Sequence, residues 1–216
     1  MYTGRVSVGG PADVHELGTV IISKLAVGPY DNNAYLLRCR ATGAQVLVDA
    51  AAEPERLLDL VGPGPLDLIV TTHRHPDHWQ ALAAVAEATG APTAAHPLDA
   101  PALPVPPDVL LSDGDTVRVG DVELAVLHLV GHTEGSIALL FDDPDGPPHL
   151  LTGDCLFPGG VGKTSTPADF ESLYSGVVSK IFEPLPDETW VYPGHGHDTT
   201  VGAERPRLAD WKERGW

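Results

Sequence analysis

Between residues 19 and 193 turn residues cut the chain into short apolar segments, and helical segments interrupt these in each half. TVIISKLAV (19–27), NAYLLRC (33–39) and AQVLVDAA (44–51) read as strands: they are apolar or β-branched and separated by the turns GPYDN and ATG. EPERLLDLVG (53–62), with Pro in its first turn and Gly at its end, reads as a helix. LDLIVTT (66–72) is a buried strand, HWQALAAVAEATG (78–90) an Ala-rich helix and PTAAH (92–96) a short strand. After a Pro-rich connection the chain is strand-dominated, through DTVRVG, VELAVLHLV, SIALLFDD and HLLTGD. PADFESLYSGVVSKIF (167–182) is a helix, ETWVYP (188–193) a last strand, and residues 201–216 a short helix and tail. No repeat or linker interrupts this order. Strands followed by helices in both halves predict an α/β fold of two sheets, each covered by helices, in a single domain over 1–216 with its core at about 19–200.

The composition suits that reading, since 43% of the 216 residues are hydrophobic. Thirty acidic against thirteen basic residues give a net charge of −17, which repels phosphate backbones and argues against nucleic acid as a partner. The two cysteines, Cys39 and Cys155, form no CxxC, so no disulfide framework is implied and a reduced, cytoplasmic setting is expected. The N-terminus lacks the apolar core of a signal peptide, and no apolar run approaches the ~20 residues that span a bilayer. The expected partner is therefore a small-molecule substrate, with no membrane; homo-oligomerisation is open.

THRHPDHW (72–79) concentrates three of the ten histidines and an aspartate directly after the apolar run LDLIV. Imidazole and carboxylate are the ligands that suit zinc, iron and manganese. Pro76 stops a helix from running through the stretch, so its ligands belong on a loop at a strand end, where α/β sheets build their sites. A metal centre needs convergent ligands from elsewhere. LVGHTEGS supplies His132, LLTGDCLF supplies Asp154 and VYPGHGHDT supplies His195, each at a strand end in a glycine-flanked turn.

With THRHPDH, GHTEGS, TGDCLF and PGHG in this order, the chain resembles the metallo-β-lactamase superfamily, and within it the glyoxalase II-like hydrolases, over about residues 19–200. The resemblance implies an αββα sandwich of two mixed β-sheets flanked by helices, holding two divalent metal ions. Zinc is the leading candidate; iron and manganese also suit the ligands. It assigns His73, His75 and His132 to one metal, Asp77, His78 and His195 to the other, and Asp154 to both. The third motif reads LVGHT where the family often has TPGHT, but His132 is kept. Secreted β-lactamases of the superfamily usually carry a cysteine ligand at the Asp154 position. Cys155, one residue on, should face the other way as a small core residue. Only 21 residues follow His195, too few for the helical region that holds glutathione in glyoxalase II. The large inserted domain of the RNA-processing branch has no counterpart either.

FPGGVGKTS (157–165) imitates a phosphate-binding loop but has Phe157 where that pattern needs its first glycine. The loop reads better as a rim of the site, with Lys163 as partner for a substrate carboxylate or a solvated lysine. His197 is a candidate for contact with a ligand or the substrate. His15, His96, His128 and His149 read as packed or surface histidines; Tyr30, Trp79 and Phe157 read as packing residues or as the pocket mouth. Two cations about 3.5–4 Å apart can share a water and make it hydroxide near neutral pH. The expected reaction is hydrolysis of a small thioester or related acyl substrate by this metal-bridging hydroxide, as in a hydroxyacyl-thiol hydrolase, with Asp77 as the catalytic residue that orients it. The alternatives are a mononuclear Fe(II) persulfide dioxygenase using ligands of the His73, His132 and Asp154 type, and a lactonase. A purely structural metal is disfavoured, since closed structural sites take four ligands and seven are present.

Overall fold

The computed structural model describes residues 1–215. One sheet contains β1 (Asp13–Glu16), β2 (Val20–Val27), β3 (Asn32–Cys39), β4 (Gln45–Val48), β5 (Leu68–Val70), β6 (Thr93–Ala95) and β7 (Val109–Leu110) side by side in that order. Pairing is antiparallel from β1 to β4 and parallel from β4 to β7. The second sheet contains β8 (Thr116–Val119), β9 (Val122–His128), β10 (Ile137–Phe141), β11 (His149–Gly153), β14 (Trp190–Pro193) and β15 (Thr199–Thr200). It is antiparallel except between β11 and β14. A two-stranded ribbon, β12 (Leu156–Phe157) with β13 (Gly160–Val161), completes the strands.

The period of two in the strands divides the core into three layers. On β4, Val46 and Val48 point between the sheets and Leu47 points away from the second sheet. The inner layer joins Ile22, Leu37 and Val46 to Leu124, Val126, Leu139 and Tyr192. Outside the first sheet, Leu36, Leu47 and Ile69 meet Leu57 of α1 (Pro54–Val61) and Leu82 and Val85 of α2 (Leu82–Thr89). Outside the second, Leu150 and Val191 meet Phe170 and Leu173 of α3 (Pro167–Val177) and Trp211 of α5 (Leu208–Arg214). Helices on one face and the facing sheet on the other leave every residue of β4 and β11 buried. The expected αββα sandwich of two mixed sheets is the fold observed. No helix among the described residues is long and apolar enough to cross a membrane.

Element boundaries moved where side chains or other strands claim the backbone. The helix expected over 78–90 starts only at Leu82, because the N–H groups of Gln80 and Ala81 donate to Ala51 and Ala50 beyond β4. The strand expected over 44–51 ends at Val48, since Asp49 turns left-handed at φ 59°. The helix expected over 167–182 gives way to a π turn at Val178–Phe182. After β15 the C-terminal helix is split into α4 (Val201–Glu204) and α5, joined by a 3-10 turn. β1, β7, β12, β13 and β15 were not foreseen; each is only two to four residues long and shows little pattern of its own. Both cysteines are free and buried, Cys155 in the layer under α3.

Leu37 is fully buried between the sheets. Leu37→Ala should lower the stability by ~2–5 kcal/mol through lost burial and the cavity left behind, measured by urea unfolding.

Candidate metal centre

The strand ends that follow β4, β5, β6, β9, β11 and β14 meet at one edge of the sandwich. Asp49 follows β4, and its left-handed backbone aims the carboxylate at the loop after β5. There Asp49 accepts from Thr72 N (2.7 Å), Thr72 Oγ1 (2.8 Å) and His78 Nδ1 (2.8 Å). Pro76–His78 form a single 3-10 turn that sets Asp77 and His78 on the same edge as His73 and His75.

The hydrogen bonds determine which nitrogen of each ring carries the proton. His132 Nδ1 lies 2.7 Å from the Lys163 carbonyl, His195 Nδ1 2.9 Å from the Tyr30 carbonyl, and His78 Nδ1 faces the Asp49 carboxylate. These acceptors have no proton to give, so each Nδ1 donates. Thr72 Oγ1 gives its proton to Asp49 and therefore accepts from His73 Nδ1 at 3.0 Å. A neutral ring so committed has only a bare lone pair at Nε2. Those lone pairs face each other, His73 against His132 at 3.3 Å and His78 against His195 at 3.2 Å. Opposed lone pairs repel, so a proton or a cation belongs between them.

The two pairs answer this differently. Burial, then the charge of His78, holds His73 well below the ordinary histidine value, and burial lowers His132. At neutral pH the first pair has no proton to share. Burial also works against charge on His78, but Asp49 and Asp154 outweigh it and raise the group to about 10. His195 is raised too: burial opposes the proton and Asp154 favours it more.

Asp154 stands between the pairs. Its Oδ1 lies 3.3 Å from His78 Nε2; its Oδ2 lies 3.5 Å from His132 and from His195 Nε2, and 3.9 Å from His73 Nε2. Oδ1 is buried and takes no well-formed hydrogen bond. Burial pushes the Asp154 carboxyl up, but His195 and His78 outweigh it and hold the group well below the carboxylate range. Asp77 Oδ2 accepts from Asn32 Nδ2 at 3.0 Å and lies 3.4 Å from His195 Nε2. The His75 ring centre is 4.5 Å from that of His132. Within each of the triplets His73, His75, His132 and Asp77, His78, His195 the ligand atoms lie within 4.8 Å of one another, as they do for His73, His78 and Asp154. Bare Nε2 lone pairs, two carboxylates and an orphaned Asp154 oxygen fit divalent cations, and the donors suit zinc, iron or manganese.

Two glycines make room for this. A Cβ on Gly194 would overlap Asp154 Oδ1 and stand 2.7 Å from His78 Cε1. Gly153, at φ 47°, leaves β11 left-handed, and a Cβ there would come 2.6 Å from Thr72 Oγ1.

All seven expected ligand residues converge here. Lys163 contributes its backbone carbonyl, while its side chain is exposed and forms no ion pair among the described residues. His197 is exposed, and among the described residues no hydrogen bond, ion pair or ring contact brings it into the cluster. The half-buried Phe157 ring lies 6.2 Å from that of His195, and Tyr30 is 66% exposed beside the same histidine, so both sit at the rim. Trp79 instead anchors its own loop, donating Nε1 to the Arg74 carbonyl at 2.8 Å.

Three residues of the site were missed. Asp49 ends the run VLV, and an acid closing a buried strand was its signal. Asn32 was taken as turn punctuation within GPYDN. Asp99 had no local signal; buried after β6, it accepts from Arg74 N, Thr133 Oγ1 and Gly135 N and so joins the His73–His75 loop to the His132 loop.

Because the His78 value is raised, its proton is held at pH 7 and lost only as pH rises through about 10. Cation uptake at pH 7 should therefore release about one proton. Calorimetry in buffers of different ionisation enthalpy reads that number, and the His78 share of it should halve near pH 10 and vanish only above it.

Residues 27–197 match the Lactamase_B family, the metallo-beta-lactamase superfamily. A hydroxyacylglutathione hydrolase of Fuscovulum blasticum is 37% identical over 170 residues; the match covers 77% of this chain and 63% of that protein's length. The crystal structure of ETHE1 from Myxococcus xanthus superposes with a TM-score of 0.76 at 30% identity, over 89% of this chain and 84% of that one. TTHA1623, solved in a di-iron-bound form, superposes with a TM-score of 0.70 at 33% identity, over 84% of this chain and 96% of that one. By its motifs, its fold and its cluster of histidines and aspartates, the chain belongs to the metallo-β-lactamase superfamily.

Proposed function

We propose that the chain is a single-domain, binuclear metal-dependent hydrolase of a small acyl thioester. The observation that carries this reading is the pair of ligand triplets sharing the Asp154 carboxylate. His73, His75 and His132 would hold one cation, Asp77, His78 and His195 the other, and Asp154 both. Bound there, the cations would bring a water to hydroxide near neutral pH and polarise the scissile carbonyl.

The chain's own residues prepare the rest. Burial raises the Asp77 carboxyl less than Asn32 and His78 lower it, so Asp77 is anionic. Asn32 occupies its Oδ2. Oδ1 is left to accept the hydrogen bond of the attacking water and aim its lone pair. A thiolate leaves without a general acid, because its pKa is near ~8.5. Lys163, exposed and without an ion pair among the described residues, offers its ammonium at the rim to an acyl carboxylate, while Tyr30 and Phe157 offer apolar surface. The name of the Fuscovulum relative supports a thioester of this kind.

One observation favours the second reading, a mononuclear Fe(II) persulfide dioxygenase. His73 Nε2, His132 Nε2 and Asp154 Oδ2 lie 3.3, 3.5 and 3.9 Å from one another, a compact set of three donors that could hold a single ion. Metal quantification on protein purified without added metal separates the readings. Two ions per chain with thioester cleavage supports hydrolysis; one iron with oxygen uptake overturns it. Ring opening of acyl lactones in preference to thioesters would move the substrate class. Asp77→Asn, assayed with enough metal to keep both ions bound, should lower kcat by ~10²–10⁴-fold, and full turnover in that variant would remove the orienting role.

A further inference from the structure

Lys24 lies on β2, in the sheet that does not carry His195, and its side chain is fully buried. Its Nζ donates to the Gly4 carbonyl (2.9 Å), the Gly196 carbonyl (2.8 Å) and Asp198 Oδ1 (2.5 Å). All three ammonium protons thus have acceptors. Asp198 is equally enclosed: its Oδ2 accepts from Tyr2 OH (2.5 Å) and Trp190 Nε1 (2.8 Å). Removing two charges from water is costly, and apolar side chains of similar volume often serve a core better. The pair needs a reason beyond filling space.

What it grips is the segment that carries His195. Gly196 O accepts from Lys24 and from Asn33 Nδ2 (3.0 Å), and Pro193 O accepts from Asn33 Nδ2 (2.9 Å) and Tyr35 OH (2.6 Å). Asn33 N donates to Gly194 O at 2.7 Å. Donors from β2 and β3 therefore hold residues 193, 194, 196 and 198 on both sides of the histidine. The segment has glycine at 194 and 196, the latter at φ 69°, so no side chain of its own stiffens it. Lys24 and Asp198 close its far end, where β3 no longer reaches.

We infer that Lys24, paired with Asp198, is a positioning residue for His195 and thereby sets the affinity of the second cation half-site. The inference rests on the two-cation reading above. A pair that merely glued the sheets together would weaken the fold and both half-sites alike. A positioning pair weakens one half-site selectively.

The test is a zinc titration of the full chain in competition with a chelating indicator, with the unfolding temperature measured alongside. Lys24→Met keeps the length of the side chain without its donors, and Asp198→Asn keeps the shape of its partner without the charge. In both variants the first zinc should bind within about twofold of the native affinity, while the second weakens by about 10–100-fold, as for other partners that orient a ligand. Equal weakening of both ions, or native affinity for both, overturns the inference while leaving the two-cation reading intact. Failure of both variants to fold overturns it as well, since the pair would then serve the sheet packing. A native chain that binds one zinc sinks the two-cation reading and this inference with it.

Discussion

Four imidazoles whose Nδ1 hydrogens are already committed have only bare Nε2 lone pairs to turn towards one another. The rest of the site follows from that constraint. The acceptors that commit them are diverse: the Asp49 carboxylate, the Thr72 hydroxyl, and the carbonyls of Lys163 and Tyr30. The partners behind the clustered rings, more than the rings themselves, determine that the centre of the cluster is electron-rich and asks for positive charge. On one side the need is unmet; on the other a proton on His78 answers it.

Such a centre can be built only where two independent sheets present strand ends to each other. His73, His75, Asp77 and His78 follow β5 of the first sheet; His132, Asp154 and His195 follow strands of the second. Neither sheet holds a complete set. Backbone hydrogen bonds from Ile137 N to Thr72 O and from Asn33 N to Gly194 O join the two sheets at this edge. Asp99 fastens the first triplet's two loops, and Lys24 with Asp198 fastens the segment of the second. Each is a buried charge with its hydrogen-bonding capacity filled, which is the condition under which a buried charge is tolerated. The left-handed backbone at Asp49 and the clearance at Gly194 belong to the same geometry, since a side chain at 194 would occupy the space of the Asp154 carboxylate.

Much of this was legible in the chain. Strands and helices announce themselves by period, which pointed to two covered sheets; the αββα sandwich and the grouping of the seven clustered residues came from the motifs' resemblance to the metallo-β-lactamase superfamily. Cys155 is the buried core residue expected, but it and Asp154 lie in the turn between β11 and β12, so the turn and not strand alternation separates them. Elements of two to four residues, such as β7 and β15, carry too little pattern to be seen. The start of α2 was misplaced because the N–H groups of Gln80 and Ala81 are claimed by Ala51 and Ala50, a competition that lies outside the helix's own sequence.

By itself the sequence determined the donor types, their order and the strands they follow, because ligand chemistry and hydrophobic period are local properties. Only the tertiary structure decided which nitrogen of each ring is bare, that Asp49 and Asn32 stand behind His78 and Asp77, and that a lysine 171 positions before His195 bonds its loop. Those facts depend on where a proton finds an acceptor, and the acceptors lie on other strands. A residue such as Lys24, in the middle of an ordinary apolar strand, shows its role only when the second sheet closes over it and removes the water that would otherwise hold its charge.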